Sequence, residues 1–260
     1  MASKAPYFDR YPTIAFERDD DGVLVMRLHS DGGPVDYAPQ HHEDWVGAFS
    51  DVGRDPDNRV VIITGTGDAF INRMSMEAWG ANPMRSPGDW EYIHREGKRL
   101  MRNLIDIEAP MIGAINGPAT IHAELAVLSD LTVASSTATF ADLPHFPNHT
   151  VPGDGAHIVW TELLGSNRGR YFLITGQILS AEEAQSLGVI NEIVPPDQVL
   201  PRARELAQLF IGKPPLIGRY TRAATTMKWK RLFDEALAYG LALEGLGSLE
   251  SIALSQRQNG

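Results

Sequence analysis

The chain has 260 residues, 43% of them hydrophobic and 22% charged, with a formal net charge of −10 and no cysteine. That length buries most of the surface of the unfolded chain without staples, and the missing cysteines exclude disulfides, thiolate metal sites and a Cys nucleophile. The acidic balance argues against nucleic acid and anionic membranes as partners; the densest basic patch, Lys228, Lys230 and Arg231, reads as a solvated helix face. The stretch Met1–Tyr11 is polar without an apolar core, so no signal peptide is expected, and no run is expected to reach membrane-span length. The expected location is the cytoplasm.

Short apolar runs predict strands at Gly22–His29, Arg59–Gly65, Pro110–Gly117, Leu131–Ser135 and Ala138–Phe140. Helical patterns lie between and after them, at Gln40–Val52, Asp89–Ile107, His122–Ser129 and Ala156–Leu164. Strand–helix alternation predicts an α/β fold with parallel strands. Beyond Ser180 the pattern is helical: a capping box joins Ser180 to Glu183, and Gly188 closes that helix. Leu200–Ile211 follows, then a long helix or a pair from Pro215 to about Ser255. The division expected is an α/β core over 1–195 and a helical subdomain over 196–260, within one structural domain.

Three segments carry residues suited to chemistry. Thr66–Phe70 ends a buried strand in a Gly-containing turn, where α/β folds bind ligands or simply turn the chain. Ala114–Ala126 runs from a strand end into a helix start at His122 and Glu124. Helix-start N–H groups lack internal partners and can stabilise an oxyanion, while Glu124 can equally complement the helix dipole. Asp142–His157 is a loop of three prolines, three histidines and two aspartates that opens a helix. A returning loop could bring Asp154 to His145, orienting the ring so that its other nitrogen activates water; Asp154 also suits the helix cap before Ala156. The histidine spacing matches no metal-ligand motif, so neither metal nor cofactor is expected. Glu244 is an acid in an apolar helical stretch, where burial would raise its pKa.

These segments, with Arg59–Phe70, Ile112–Ala119, Ser129-Asp130, Val151–Gly155, Leu164–Gly176 and Ala184–Val194, resemble the crotonase (enoyl-CoA hydratase/isomerase) superfamily over nearly the whole chain. The resemblance implies a crotonase-like superhelix of stacked ββα turns forming two nearly perpendicular sheets, with a helical C-terminal trimerisation region. The departures bear on activity. Ala69–Met76 lacks the Gly-Ala-Asp turn of CoA-using members, Thr120–Ala123 replaces their glycine triplet, and His145 falls on their second catalytic Glu, leaving Glu124 on the first. Pro144–Pro147, Val151–His157 and Leu164–Leu173 are similar to the β-diketone hydrolase branch, the 6-oxocamphor hydrolase group. That similarity implies His145, Asp154, His122 and Glu244 as catalytic residues, and Tyr37 (where that group has Trp), Phe70 and Glu124 as substrate-binding residues. It implies hydrolytic cleavage of a carbon–carbon bond in a cyclic or bicyclic 1,3-diketone by a homotrimer or dimer of trimers. The alternatives are an acyl-CoA hydratase or isomerase using Glu124, which requires a cationic groove for CoA phosphates, and a non-catalytic binding protein.

Overall fold

The computed structural model describes residues 4–81 and 86–258. Six strands form the main sheet in the order β1-β2-β3-β4-β5-β8. They are β1 (Ile14–Arg18), β2 (Val23–Leu28), β3 (Val60–Thr64), β4 (Met111–Ile115), β5 (Leu131–Ser135) and β8 (Glu192–Val194). The first pair is antiparallel and the others are parallel. Both faces of β3 and β4 are buried, which explains their unbroken apolar runs. Alternate residues serve two cores. Val60 and Ile62 pack with Ala203 and Ala207 of helix α8 (Val199–Ile211). Val61 and Ile63 face the larger core, which includes Phe49, Leu104 and Leu125. The first helix of the C-terminal region therefore covers the main sheet.

The other elements in chain order are α1 (Pro39–Arg54), α2 (Met76–Ala81), α3 (Pro87–Asp106), α4 (Glu124–Val127), β6 (Thr139–Phe140), α5 (Ala156–Leu163), α6 (Ser166–Thr175), β7 (Leu179–Ser180), α7 (Ala181–Ser186), α9 (Pro215–Thr225) and α10 (Met227–Gln258). The Ser180–Glu183 capping box forms as expected, with the Glu183 N–H donating to Ser180 Oγ and the Ser180 N–H to Glu183 Oε2. The expected helix near His122 is only one turn long, because His122 itself takes a left-handed φ of 45°. The C-terminal pattern resolves into the pair α9 and α10.

The second sheet is short: β6 pairs with β7, and single bridges join Ile71 to Ala119 and Ala119 to Phe140. This ladder turns the chain beyond the carboxyl ends of β3 and β4. Asn116 fixes that turn by donating to the Gly67 and Ala69 carbonyls and accepting from the Gly65 N–H. Gly117 is required there, since a Cβ would lie 1.8 Å from the Asp68 carbonyl oxygen. The Thr66–Phe70 segment is thus a structural turn.

One expectation needs correction: Met227–Leu254 of α10 is long and apolar enough, by length and composition, to cross a membrane. In this fold its apolar side chains are used against neighbours. Phe233, Leu237 and Leu241 are buried in the core. Trp90 of α3 donates its indole N–H to the Leu241 carbonyl at 2.8 Å, and His94 donates to that of Ala238 at 3.1 Å. Arg222 ties α9 down by bonding Asp130 Oδ2 and the Ile107 carbonyl. Asp130 of the Ser129-Asp130 motif is therefore a structural anchor.

Candidate active site

Tyr37, His122, His145, Asp154 and Glu244 come from four separate segments and line one cavity of about 240 Å³. A larger surface cleft of about 380 Å³ lies beside Arg18 and Arg219. Convergence of buried titratable groups, rather than size, distinguishes the smaller one. Its remaining wall is mainly apolar, including Met74, Trp79, Trp90, Ile93 and Leu241.

Tyr37 is held by the second ladder. Its N–H donates to the Arg73 carbonyl, and its own carbonyl accepts from the Ser75 N–H, both at 2.9 Å. The segment that lacks the family's Gly-Ala-Asp turn is thus paired to the extended stretch carrying Tyr37 through a single bridge to Met74. The Tyr37 hydroxyl lies 3.0 Å from His122 Nε2, and the rings meet edge-to-face at 4.8 Å. Burial, with the Asp154 and Glu244 charges adding to it, raises the Tyr37 pKa, so the phenol keeps its proton. Burial lowers that of His122, leaving a neutral imidazole. His122 lines the cavity with a positive φ of 45°, a backbone strain of the kind that concentrates at functional sites.

His145 stands between two carboxylates. Its Nδ1 is 2.6 Å from Asp142 Oδ1, and its Nε2 is 3.4 Å from Asp154 Oδ2. Burial opposes a charge on the ring, but Asp154 and Asp142 outweigh it and hold the pKa well above 6.5. The expectation that Asp154 orients this ring is corrected: the short bond belongs to Asp142, three residues upstream, because Pro144 turns the chain back between them. The two sequence readings of Asp154 prove compatible. Its Oδ1 accepts the Ala156 N–H at 3.2 Å, while Oδ2 faces His145 and, at 3.7 Å, His122 Nδ1. Its pKa is depressed: burial raises it, but the His145 charge and hydrogen bond outweigh that effect.

Glu244 enters from α10. Glycines allow that approach, since a Cβ on Gly240 would lie 2.3 Å from the His157 ring and one on Gly153 would lie 2.1 Å from the Gly240 carbonyl oxygen. The carboxyl is buried, its Oε2 has no hydrogen-bond partner among the described residues, and burial followed by repulsion from Asp154 pushes its pKa up to about 8. His145, Asp154 and Glu244 each place one ligand atom within 4.8 Å of the others, a grouping that could hold a cation.

Two expected substrate contacts are corrected. Phe70 is fully buried in the core beneath the site and does not line the cavity, because its N–H is pinned to the Pro118 carbonyl. Glu124 lies behind His122, accepts the Trp160 indole N–H at 2.6 Å and is also absent from the lining. Burial, then the Asp154 and Asp142 charges, raises its pKa to about 8. Sequence reasoning missed Asp142, whose signal was an Asp-x-x-His spacing through Pro144, and His42, a buried histidine on α1 whose pKa burial lowers to about 4.

A mostly parallel sheet with a second short ladder at its carboxyl edge, acids and imidazoles gathered there, and a long C-terminal helix closing the site define a crotonase-type enzyme. The enoyl-CoA hydratase/isomerase family model matches residues 19–243, and the chain belongs to that family within the crotonase superfamily. It is similar to a solved β-diketone hydrolase from Anabaena sp. PCC 7120 bound to (S)-3-oxocyclohexyl acetic acid, with 40% identity, a TM-score of 0.92 and coverage of 95% of this chain and 98% of that one. A crotonyl-CoA hydratase from Syntrophomonas wolfei is 29% identical over 202 residues, 74% of this chain and 73% of that protein. A carnitinyl-CoA dehydratase from Salmonella enteritidis is 33% identical over 173 residues, 65% of this chain and 64% of that protein.

Proposed function

We propose that the protein hydrolyses a carbon–carbon bond of a compact cyclic 1,3-diketone by a retro-Claisen reaction, giving a keto acid without CoA. The observation that carries this reading is His145, where hydratases of the family place their second catalytic Glu, held beside Asp154 in a small cavity. Among the described residues no Lys or Arg lines that cavity, so the cationic groove expected of the CoA alternative has no counterpart there. Its volume of about 240 Å³ is below the roughly 300–1,000 Å³ usual for drug-sized ligands, and favours a compact ring. The 40% identical β-diketone hydrolase supports the same reading.

In its neutral form His145 takes a proton from water at Nε2 while the water oxygen bonds to one carbonyl carbon. Asp154 Oδ2 accepts a hydrogen bond from the water's second O–H, which stays on the oxygen. The tetrahedral adduct collapses to a carboxylic acid, and the breaking C–C bond leaves its electron pair on the α-carbon as an enolate. The His122–Tyr37 pair hydrogen-bonds that enolate's oxygen; losing one such donor costs about 3 kcal/mol. Proton return from His145 or from Glu244, which its raised pKa keeps protonated at neutral pH, completes the keto acid. No step passes through a metal.

The exposed apolar residues Leu216, Ile217 and Tyr220 of α9 and Tyr239 and Leu246 of α10 support association through the C-terminal helices, which we propose gives a homotrimer or a dimer of trimers. The catalytic reading is tested with EDTA-treated protein and cyclic 1,3-diketones. Diketone absorbance should fall without CoA, and His145→Ala should slow turnover by orders of magnitude while circular dichroism is unchanged. Normal turnover by that variant would refute the mechanism.

A further inference from the structure

We infer that Asp142 is the residue that positions His145, leaving Asp154 on the opposite, water-facing side of the ring; the inference rests on the hydrolytic reading. In an imidazole, a carboxylate at Nδ1 aims Nε2 the other way. Asp142 Oδ1 lies 2.6 Å from Nδ1, with both side chains under a tenth exposed. His145, Asp154 and Glu244 line the cavity and Asp142 does not. Asp142 therefore acts behind the ring, out of reach of substrate, whereas Asp154 stands in front of it.

The backbone supports the same division. Asp142 follows β6, and its neighbours are pinned to the ladder strand: the Ala141 N–H donates to the Ala119 carbonyl and the Leu143 N–H to that of Thr120. Asp154 sits in a turn between Gly153 and Gly155, and its Oδ2 is shared between His145 Nε2 at 3.4 Å and His122 Nδ1 at 3.7 Å. The tightly bonded carboxylate is on the rigid ladder, and the loosely placed one is where a water must be held and released. With the Nδ1–H committed to Asp142, the free electron pair of neutral His145 is forced onto Nε2, the nitrogen that faces the cavity. A carboxylate that selects the tautomer in this way changes rate more than substrate affinity, since it makes no contact with substrate.

Burial lowers the ring's pKa and Asp154 and Asp142, on the two ends of its loop, raise it; the other titratable groups around it are His122 and Glu124 at the α4 start, His42 of α1, His157 of α5 and Glu244 of α10. Replacing Asp142 by Asn removes one of the two charges that raise the His145 pKa, so the acidic limb of kcat/KM should move to lower pH.

The test compares Asp142→Asn, Asp142→Glu and Asp154→Asn. In proton NMR, the low-field His145 Nδ1–H signal should persist in Asp154→Asn and vanish or shift upfield in Asp142→Asn, whether or not the protein turns over a diketone. With diketone, Asp142→Asn should lower kcat by about 100-fold or more, as expected for a lost orienting carboxylate, with KM changed less than about threefold and the acidic limb displaced. Asp142→Glu should recover part of kcat and restore the limb. A Nδ1–H signal that survives Asp142→Asn but is lost in Asp154→Asn would overturn the inference. So would a fall in kcat with the acidic limb unmoved, which marks a packing role. Wild-type protein inactive on every diketone, with the signal assigned to the Asp142 contact, would instead overturn the functional reading alone.

Discussion

Glu244→Gln should make the protein more stable at neutral and alkaline pH, and the gain should grow with pH. Burial raises the Glu244 pKa from 4.5 to about 8, so the folded protein binds this proton more tightly than the unfolded chain does. That contribution is fully present below 4.5 and is lost as pH rises toward 8. At pH 7, about 2.5 units above the unfolded value, the loss is about 3 kcal/mol at 1.36 kcal/mol per unit. Glutamine cannot ionise and escapes it. Its amide oxygen keeps the place of the carboxyl oxygen beside Gly153. Its NH₂ would take the place of Oε2, which has no partner among the described residues, at a cost of about 1 kcal/mol. The balance is a gain of about 2 kcal/mol at pH 7 and a loss of about 1 kcal/mol near pH 4.5. Urea denaturation of both proteins at equal protomer concentration, at pH 4.5, 7 and 8.5, measures it. A stability difference independent of pH, or a glutamine variant weaker than wild type at pH 8.5, would show that Glu244 is ionised and paired, and would refute the reasoning.

Tyr37→Phe should leave stability nearly unchanged and reduce kcat about 100-fold through loss of an enolate donor; steady-state kinetics unchanged from wild type would remove Tyr37 from the chemistry. The log of kcat/KM for wild type should rise with pH from 6.5 upward until the His145 pKa is passed, since the raised pKa keeps the ring protonated and inactive as a base below it. A profile flat from pH 6 to 9, in a stopped-flow assay under pseudo-first-order conditions, would exclude His145 as the base. Gly240→Ala should lower stability by about 1–3 kcal/mol, because its Cβ would meet the His157 ring and the Gly153 carbonyl. An unchanged thermal midpoint would show that α10 can move away freely.

The parallel strands were legible because both faces of β3 and β4 are buried, and an unbroken Val-Ile run has few other uses. Tyr37, His122, His145, Asp154 and Glu244 could be grouped only through the family pattern, since they span 208 positions and local periodicity cannot join them. That pattern also misplaced two residues. Phe70 and Glu124 sit at the right places in the chain, but the Asn116 turn buries the first and Trp160 draws the second away from the cavity. Asp142 was overlooked although it opens the segment singled out for chemistry; its role depends on a three-residue reversal through Pro144 that orders the carboxylate and the ring face to face. The apolar wall escaped for a different reason. Trp79, Trp90 and Leu241 carry no motif that sets them apart in the sequence; the Trp79 indole bond to the Tyr37 carbonyl and the packing of α3 on α10 turn them toward the cavity.

The central claim meets its most direct measurement in H₂¹⁸O, with EDTA-treated protein offered cyclic 1,3-diketones and crotonyl-CoA in parallel. Hydrolytic cleavage predicts a keto acid with one ¹⁸O in its new carboxylate and no hydration of crotonyl-CoA. Turnover of crotonyl-CoA with every diketone left intact would contradict it.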